Sequence, residues 1–408
     1  MVTLLKLSWR NLWRNKRRTW ITIFSVVFAV FLAMFLESMD RGSQETMIKN
    51  VVQFSTGYIQ LQDTLYQDEP FIDNTMHFDS QLEELLLQNH SGIDFLVPRL
   101  ESFALAAGDD RSRVSLVFGI DPQKEHQFNQ VKNRLRDGDF FTENEMEAVI
   151  GEGLAKSLEL NVGDTLVLLG QEYHGVTAAG KLYIAGVVHH ALPQMNVKIV
   201  YLKLEDAQWL FSAYERLSSL IISPQNPSRH TQLANELKNQ DYLSDYNVYT
   251  WEELQPELVR TIEFDQAGTF IFLLILYVVI AFGIFGTILT MTLEREKEFG
   301  VLISVGMHRW KLSLVIFIET LIINFTGVLI GLVFSLPIMI YFHFNPISLG
   351  EDLGAIMEHY GMDAVLPFSL DPQIFTQQGT IVFFISMIIV LYPISRIISL
   401  NVLDAARK

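Results

Sequence analysis

The chain has 408 residues, 50 % of them hydrophobic, and a formal net charge of -16 at pH 7. This hydrophobic share is high for a purely soluble protein, so part of the chain is expected to lie in lipid. Between residues 37 and 267 there are 36 acids and 17 bases, which argues against nucleic acid as a partner. The absence of cysteine excludes disulfides, thiolate metal sites and thiol nucleophiles.

Residues 1–20 predict a cytoplasmic amphipathic helix. They hold six bases and no acid, and one helical face carries Leu5, Trp9, Leu12 and Trp13. Such a helix is typical of an anionic membrane surface, with tryptophans at the level of the headgroups. The apolar run that follows predicts a first span over residues 20–39, without a cleavage site. The preceding bases predict a cytoplasmic N-terminus, so the chain after this span begins outside.

Residues 40–265 predict a large mixed α/β domain outside the cytoplasm, with helical stalks at both ends. Met47, Val51 and Phe54 at helical spacing indicate the first stalk, and residues 251–266 indicate the second. Strands are predicted at 58–61, 114–119, 166–169, 182–188 and 198–202. Helices are predicted at 80–88, 148–158, 204–213 and 228–240. Residues 149–168 are interpreted as a strand end, a glycine turn, a short helix and a turn into another strand.

The rest of the chain predicts three more spans, over residues 268–293, 312–342 and 379–398. The connecting segment 343–378 holds five acids and neither lysine nor arginine, as expected for an extracytoplasmic loop. Residues 399–408 are predicted to form a cytoplasmic tail. The fold class predicted is therefore an α-helical membrane protein with four transmembrane helices and a mixed α/β extracytoplasmic domain between the first and second.

Two features of the predicted spans have alternative interpretations. Gly283 and Gly286 offer a face for close approach of another helix, although their spacing of three leaves a lipid-facing position open. A carboxylate inside a span, such as Glu319, favours a functional role because it is costly there. The closeness of Glu319 to Lys311 instead favours an interfacial or helix-contact role.

Residues 294–311 predict a short cytoplasmic helix held between the second and third spans. Charged residues cluster at its start, and an apolar patch of helical length is closed by Gly306. Such a helix is free to contact another protein.

The sequence contains no motif with chemistry of its own. The adjacent pair His189 and His190 lacks the spacing of a metal motif. GEGLAKS, from Gly151, lacks the second glycine before the lysine that a phosphate-binding loop requires, so a structural turn is expected. Nucleophile motifs are also absent, and paired acids such as Glu83 and Glu84 fit solvated helix faces. We expect no catalytic, metal or cofactor site, and no enzyme activity, in this chain.

Four segments together resemble the FtsX-like permease family, which includes the MacB-like and lipoprotein-releasing (Lol) permeases of type VII ABC transporters. They are SWRNLWRNKRRT, GEGLAKSLELNVGD, EREKEFGVLISVGMHRWKLSLVIFIET and YPISRIISLNVLDAARK. The resemblance implies a MacB-like periplasmic core domain in the bacterial inner membrane, with both termini cytoplasmic. It also implies that the short helix is a coupling helix that docks on a separate ATPase subunit, through Glu298, Phe299, Gly300, Leu302, Gly306 and Arg309.

The same resemblance implies a permease subunit of an ABC transporter that acts in lipoprotein release or export, or on another hydrophobic envelope substrate. The implied partners are an ABC ATPase that binds ATP and magnesium, a second permease subunit, identical or different, membrane lipid, and a lipoprotein or periplasmic carrier. Two alternatives stay open at this point. One is an FtsX-like regulator of a cell-wall hydrolase, and the other is a membrane receptor with an outside sensor domain.

Overall fold

A computed structural model describes residues 2–14, 16–142, 144, 146–190, 192–350 and 365–399. The described chain forms two compact units. The first contains the residues up to Glu45, Thr261–Ser348 and those from Val365 onward. The second contains Thr46–Arg260 together with Leu349 and Gly350.

The described helices and strands are numbered in chain order. The α-helices are α1 (Val2–Arg14), α2 (Lys16–Val51), α3 (Ser80–Asn89), α4 (Pro122–Asn129), α5 (Glu152–Leu158), α6 (Pro193–Asn196), α7 (Leu204–Leu210), α8 (His230–Lys238), α9 (Trp251–Leu254), α10 (Pro256–Glu294), α11 (Glu296–Ser304), α12 (Arg309–Phe344), α13 (Pro372–Ile389) and α14 (Leu391–Ile398). The strands are β1 (Ile59–Asp63), β2 (Met76–His77), β3 (Ile93–Ala107), β4 (Ser112–Ile120), β5 (Leu135–Gly138), β6 (Glu147–Gly151), β7 (Thr165–Gln171), β8 (Thr177–Val188), β9 (Ile199–Lys203), β10 (Arg216–Leu217), β11 (Ser219–Pro224), β12 (Tyr246–Thr250), β13 (Ile347–Ser348) and β14 (Val365–Leu366).

Four helical segments are long and apolar enough to cross a membrane, which confirms the predicted set of spans. They are Thr19–Thr56, Pro256–Glu294, Arg309–Phe344 and Pro372–Ile398. The last begins earlier than the prediction of residue 379. Asp371 caps α13 by accepting a 2.9 Å hydrogen bond from the backbone N–H of Gln373. The first turns of α13 are rich in glutamine and threonine, so hydropathy alone assigned them to the preceding loop.

Close helix contact in the first unit occurs at a glycine pair other than the predicted one. A Cβ on Gly327 would lie 2.7 Å from Val26 Cβ, and one on Gly331 would lie 2.9 Å from Val30 Cβ. Their spacing of four places both on one face of α12, so α2 can pack directly against the helix backbone. By contrast, no described atom lies within 4 Å of a Cβ built on Gly283 or Gly286. No described helix of this chain uses that pair for close approach, so its interpretation as a face for another helix stays a prediction.

The second unit is built on a mixed ten-stranded sheet. Its order is β12-β1-β11-β3-β4-β9-β6-β8-β5, with β7 pairing to β3 and β8. The β4–β9 and β6–β8 pairs are parallel, whereas the other neighbouring pairs are antiparallel. The first eight residues of β8 alternate between exposed and buried, as expected for a strand with one face on a core. A mixed α/β domain, as predicted, is thus the architecture observed.

Most of the predicted elements of this unit are confirmed within a few residues, but two predictions are wrong. The helix predicted over 148–158 begins only at Glu152, because Ala148–Gly151 belong to β6. All five residues of β6 are buried, and a continuous apolar run does not distinguish a buried strand from a helix. The helix predicted over 251–266 is interrupted at Gln255, because the ring of Pro256 disfavours a helical conformation at the residue before it.

A buried ion pair anchors the chain that follows α2 inside this unit. Arg99 on β3 binds Glu125 on α4 through two hydrogen bonds of 3.0 and 2.6 Å. The Arg99 Nη1 atom also donates to the carbonyl of Ser55 at 2.5 Å. Ser55 lies in the π-helical turn Val52–Thr56 that continues α2. The side chains of the ion pair are 1 % and 0 % exposed, so this anchor is part of the core.

Candidate partner-docking corner at helix α11

Helix α11 is a short helix bounded by two backbone breaks. Arg295 separates it from α10 with a φ of -96° and a ψ of 2°. At its other end Gly306 has a φ of +101°, a conformation that favours glycine. The Gly306 N–H bonds to the carbonyl of Ile303, and the Met307 N–H bonds to that of Leu302, both at 3.0 Å. This Schellman motif ends the helix and turns the chain toward α12.

One face of α11 packs into its own unit. Phe299 is 2 % exposed and joins a buried cluster with Leu312, Ile316 and Ile397. Leu302, Ile303 and Met307 pack against this cluster from the edge. Because Leu312 and Ile316 belong to α12 and Ile397 to α14, the cluster fixes α11 against the ends of two spans.

A polar network ties α11 and α12 to the N-terminal helix. Glu319 accepts a 2.5 Å hydrogen bond from Arg295 Nη1 and a 2.9 Å bond from Asn11 Nδ2. Glu298 bonds to Arg14 and lies 3.5 Å from Arg295 Nε. Glu319 is 2 % exposed and Arg295 is 5 % exposed. Glu319 therefore contacts other helical segments, as its helix-contact interpretation predicts, because Arg295 and Asn11 both lie outside α12.

Two further contacts hold the corner to α14. Arg309, the first residue of α12, donates from Nη1 to the carbonyl of Ile398 at 2.5 Å. Ile398 is the last residue of α14, so the cation satisfies a carbonyl at the negative end of that helix. Arg396 of α14 lies 3.5 Å from a carboxylate oxygen of Glu296 on α11. Helix α11 is thus joined to α14 at its first residue, Glu296, and through Arg309 a few residues after its last.

The opposite face of α11 is exposed. It presents Lys297, Val301, Ser304 and Val305, and Trp310 lies just beyond the turn. Val301 is 59 % exposed, Val305 is 83 % exposed and Trp310 is 66 % exposed. An apolar centre with charged neighbours is the composition expected of a protein interface.

The six residues implied by the family resemblance divide between these two faces. Phe299 and Gly300 are buried, and Leu302 is partly buried in the same cluster. Glu298, Gly306 and Arg309 reach the surface, but Glu298 and Arg309 also bind other parts of the chain. Their docking role stays a prediction. The six residues do not include the exposed Val305 and Trp310. The helical period could have indicated Val305, because positions 297, 301, 304 and 305 lie on the face opposite Phe299.

The adjacent histidines in the second unit face different partners. His189 Nδ1 lies 2.9 Å from a carboxylate oxygen of Glu152, whereas His190 Nδ1 accepts a 3.1 Å bond from the Leu192 N–H. Hydrogen bonds from Lys156 and then His189 lower the pKa of Glu152 to about 2. Burial lowers the pKa of His190 to about 4. Among the described residues, no group of three or more His, Asp or Glu side chains is placed to hold a metal.

The GEGLAKS segment has a packing role. Gly151 precedes α5, and a Cβ built on it would lie 2.3 Å from the carbonyl oxygen of Asn196. A side chain at this position would displace the last residue of α6. The glycine thus permits close backbone contact, in agreement with the structural turn expected from the sequence.

Four candidate spans together with a large α/β unit define a multi-span membrane protein. Two family models match the chain. The MacB-like periplasmic core domain matches residues 19–240, and the FtsX-like permease C-terminal domain matches residues 270–402. The chain therefore belongs to the FtsX-like ABC transporter permeases of the MacB and Lol type that carry a MacB-like periplasmic core domain.

Two curated relatives agree with this assignment. The lipoprotein-releasing system transmembrane protein LolC of Neisseria meningitidis is 22 % identical over 273 residues, which cover 64 % of this chain and 65 % of LolC. The corresponding protein LolE of Haemophilus influenzae is 22 % identical over 270 residues, which cover 64 % of each chain. The match thus spans slightly less than two thirds of the length of either relative.

Solved structures with similarity to this chain include two isolated domains. The periplasmic region of MacB from Actinobacillus actinomycetemcomitans has 15 % identity and a TM-score of 0.36, with 53 % of this chain and 97 % of that one covered. The extracellular domain of the noncanonic ABC-type transporter YknZ from Gram-positive bacteria has 13 % identity and a TM-score of 0.33, with coverages of 48 % and 100 %. The family assignment rests on the two family models.

Proposed function

We propose that this chain is the permease subunit of an ABC transporter, which couples ATP hydrolysis by a separate ATPase to movement of its MacB-like domain. The observation that carries the proposal is the geometry of α11. This helix lies between two spans, is held by its own chain on one face, and presents apolar side chains on the other. A helix fixed in this way can transmit a displacement of a docked partner to α12 and α14, because its buried face packs on both.

The proposed docking surface consists of Lys297, Val301, Ser304, Val305 and Trp310. Val301 and Val305 supply the apolar centre, while Glu298 and Arg309 supply charge at the rim. Phe299, Gly300 and Leu302 support this surface from within, and Gly306 sets the direction in which the chain leaves it. ATP and magnesium would be bound by the partner ATPase, with no cofactor in this chain.

The proposed substrate is a lipoprotein that is released from the inner membrane, or another hydrophobic envelope molecule. Support comes from the two curated relatives, which are both named as transmembrane proteins of lipoprotein-releasing systems. We place both termini in the cytoplasm and the second unit in the periplasm, because the bases of residues 1–20 precede the first span. A second permease subunit and a lipoprotein or periplasmic carrier complete the proposed assembly.

The test is affinity purification of the tagged full chain from gently solubilised native membranes, with identification of the co-purifying proteins. A Walker-motif ATPase together with a lipoprotein or its carrier is the expected result. An ATPase together with a cell-wall hydrolase would favour the regulator instead, and the absence of any ATPase would contradict the proposal.

The docking surface is tested in the same purification with Val301→Asp and Val305→Asp. A charge at the centre of an interface is expected to weaken ATPase association at least about tenfold, since central contacts carry most of the binding energy. Val176→Asp is a matched control, because Val176 and Val301 are each 59 % exposed and Val176 lies in the other unit. Retained association in both α11 variants would contradict this placement. The buried Phe299 is unsuitable for the test because its replacement would disturb packing.

A further inference from the structure

Helix α1 carries three parallel stripes of different chemistry. Residues four apart lie above one another on a helix, so each stripe follows an i, i+4, i+8 series. The inner stripe is Leu4, Ser8 and Leu12, the aromatic stripe is Leu5, Trp9 and Trp13, and the basic stripe is Lys6, Arg10 and Arg14.

The inner stripe holds α1 against the bundle. Leu12 is 3 % exposed and packs in a cluster with Ile323 of α12 and Ile23 of α2. Ser8 is fully buried, and its hydroxyl lies 3.2 Å from the carbonyl oxygen of Val315. These contacts fix the rotation of α1 about its own axis, which leaves the other two stripes facing outward.

The aromatic stripe is exposed, and the start of the first span also carries exposed aromatic side chains. Trp9 and Trp13 are 52 % and 42 % exposed, with their rings 5.7 Å apart. On α2, which begins two residues after α1 ends, Trp20 and Phe24 are 41 % and 60 % exposed. These exposed aromatic side chains lie just before and at the start of a candidate span, and tryptophans so close to the end of a span belong at headgroup depth.

The basic stripe lies beside the aromatic one and is only partly neutralised. Arg14 binds Glu298. Lys6 and Arg10 are exposed and form no ion pair with any described residue. In a chain of net charge -16, two unpaired bases at headgroup depth are complementary to negative charge on the adjacent leaflet.

We propose that Lys6 and Arg10 bind the headgroups of anionic phospholipids, with Trp9 and Trp13 in the same leaflet. We further infer that this binding sets the position of α11. The same helix reaches α11 through Arg14 and Glu298, and it reaches Arg295 through Asn11 and Glu319. An anionic lipid that immobilises α1 therefore immobilises the docking corner. This second step rests on the proposed function, whereas the lipid site does not.

The lipid site is tested with the full chain in mixed vesicles of phosphatidylcholine and phosphatidylglycerol, in which only one lipid carries brominated chains. The difference in fluorescence quenching between the wild type and Trp9→Phe gives the quenching of Trp9, which reports the lipid beside α1. Brominated phosphatidylglycerol is expected to quench Trp9 more strongly than its fraction in the lipid mixture would predict. One basic residue near an anionic surface contributes about fivefold in lipid preference, so the double variant K6Q/R10Q should lower the preference at least about fivefold.

The control is K132Q/R136Q, which removes two exposed bases from the second unit and should leave the lipid preference unchanged. Equal quenching by both lipids in the wild type would overturn the lipid site. A preference that persists in K6Q/R10Q would overturn its assignment to the basic stripe. Absence of quenching by either lipid would mean that another protein covers α1, which also contradicts the proposal.

The coupling step is tested by ATPase association in vesicles with and without phosphatidylglycerol. Association is expected to be tighter with the anionic lipid. R14Q should weaken this lipid dependence while the quenching preference remains, since Asn11 and Glu319 still join α1 to Arg295. Lipid dependence that is unchanged in R14Q would overturn the coupling through Glu298. If no ATPase associates in any vesicle, the proposed function fails, while the quenching result still decides the lipid site.

Discussion

The ion pair between Arg295 and Glu319 predicts a specific pattern of stabilities. Their side chains are 6 % and 2 % exposed, and two contacts of 2.5 and 3.4 Å join them. Glu319→Ala would leave the guanidinium buried with only the half-exposed carboxylate of Glu298, 3.5 Å from its Nε, as counter-charge. Removing one partner of a buried pair costs about 3–5 kcal/mol, because the remaining charge stays desolvated. We therefore expect a large loss of stability in Glu319→Ala, and a comparable loss in Arg295→Met.

The double variant Arg295→Met/Glu319→Leu distinguishes the interaction between the two residues from the contacts that each makes with other residues. Replacing both members of a buried ion pair with apolar groups is often neutral or stabilising, so the double variant should be more stable than either single variant. Such a reversal is the signature of direct coupling between two residues. Asn11 would lose one acceptor, which keeps the rescue below complete.

The assay is the thermal unfolding midpoint of the full chain purified in detergent, followed by size-exclusion chromatography after heating. Because a chain with two units need not unfold in one step, the variants are ranked by midpoint and no single free energy is assigned. Arg396→Met is the matched control, since the Arg396–Glu296 pair is 46 % and 19 % exposed and is expected to contribute under about 1 kcal/mol. A double variant no more stable than the single ones would refute the reasoning.

Two further predictions concern packing and pH. Gly331→Leu should destabilise the bundle by at least about 1–3 kcal/mol through overpacking against Val30, whereas Gly286→Leu should be tolerated; membrane yield and unfolding midpoints compare them. Since burial lowers the pKa of His190 to about 4 from 6.5, the unfolded chain binds its proton first as pH falls. The free energy of unfolding should then drop by about 2 kcal/mol between about pH 7 and pH 5. In His190→Gln this loss of stability between about pH 7 and pH 5 should be absent. Equal shifts of the unfolding midpoint with pH in the wild type and in His190→Gln would contradict the prediction.

The four spans could be predicted from the sequence because length and hydropathy are local properties. The exact start of α13 could not be predicted, since its first turns carry Gln373 and Gln378. The polar side chain of Gln378 is 3 % exposed and receives a hydrogen bond from the Tyr277 hydroxyl. A polar residue that is satisfied by a distant helix looks like a loop residue until that helix is in place.

The strands of the second unit were predicted less completely for a related reason. β3 has 15 residues and forms the centre of the sheet, yet no strand was predicted there. Pro98 and Glu101 interrupt its apolar pattern, and a proline demotes a run that otherwise resembles a central strand. Tertiary pairing with β11, β4 and β7 outweighs this local signal.

At the candidate docking site, the existence of a short helix was predictable and its orientation was not. The charge cluster and Gly306 mark the beginning and end of α11 in the sequence itself. The choice of Phe299 for the inner face depends on Leu312 and Ile397, which come from other helices. A helix with apolar residues on two sides needs those neighbours before its free face can be identified.

The contacts of Arg295 explain how a displacement of the short helix α11 can be transmitted to longer helices. This residue lies in the break between α10 and α11, and its guanidinium contacts Glu319 of α12 and Glu298 of α11. The two carboxylates also bind Asn11 and Arg14 of α1. A rotation of α11 that displaces Arg295 must therefore either carry α12, and through Asn11 also α1, with it or separate a buried charge from its partner. Because the second alternative costs several kcal/mol, small displacements of α11 are expected to move the three helices together.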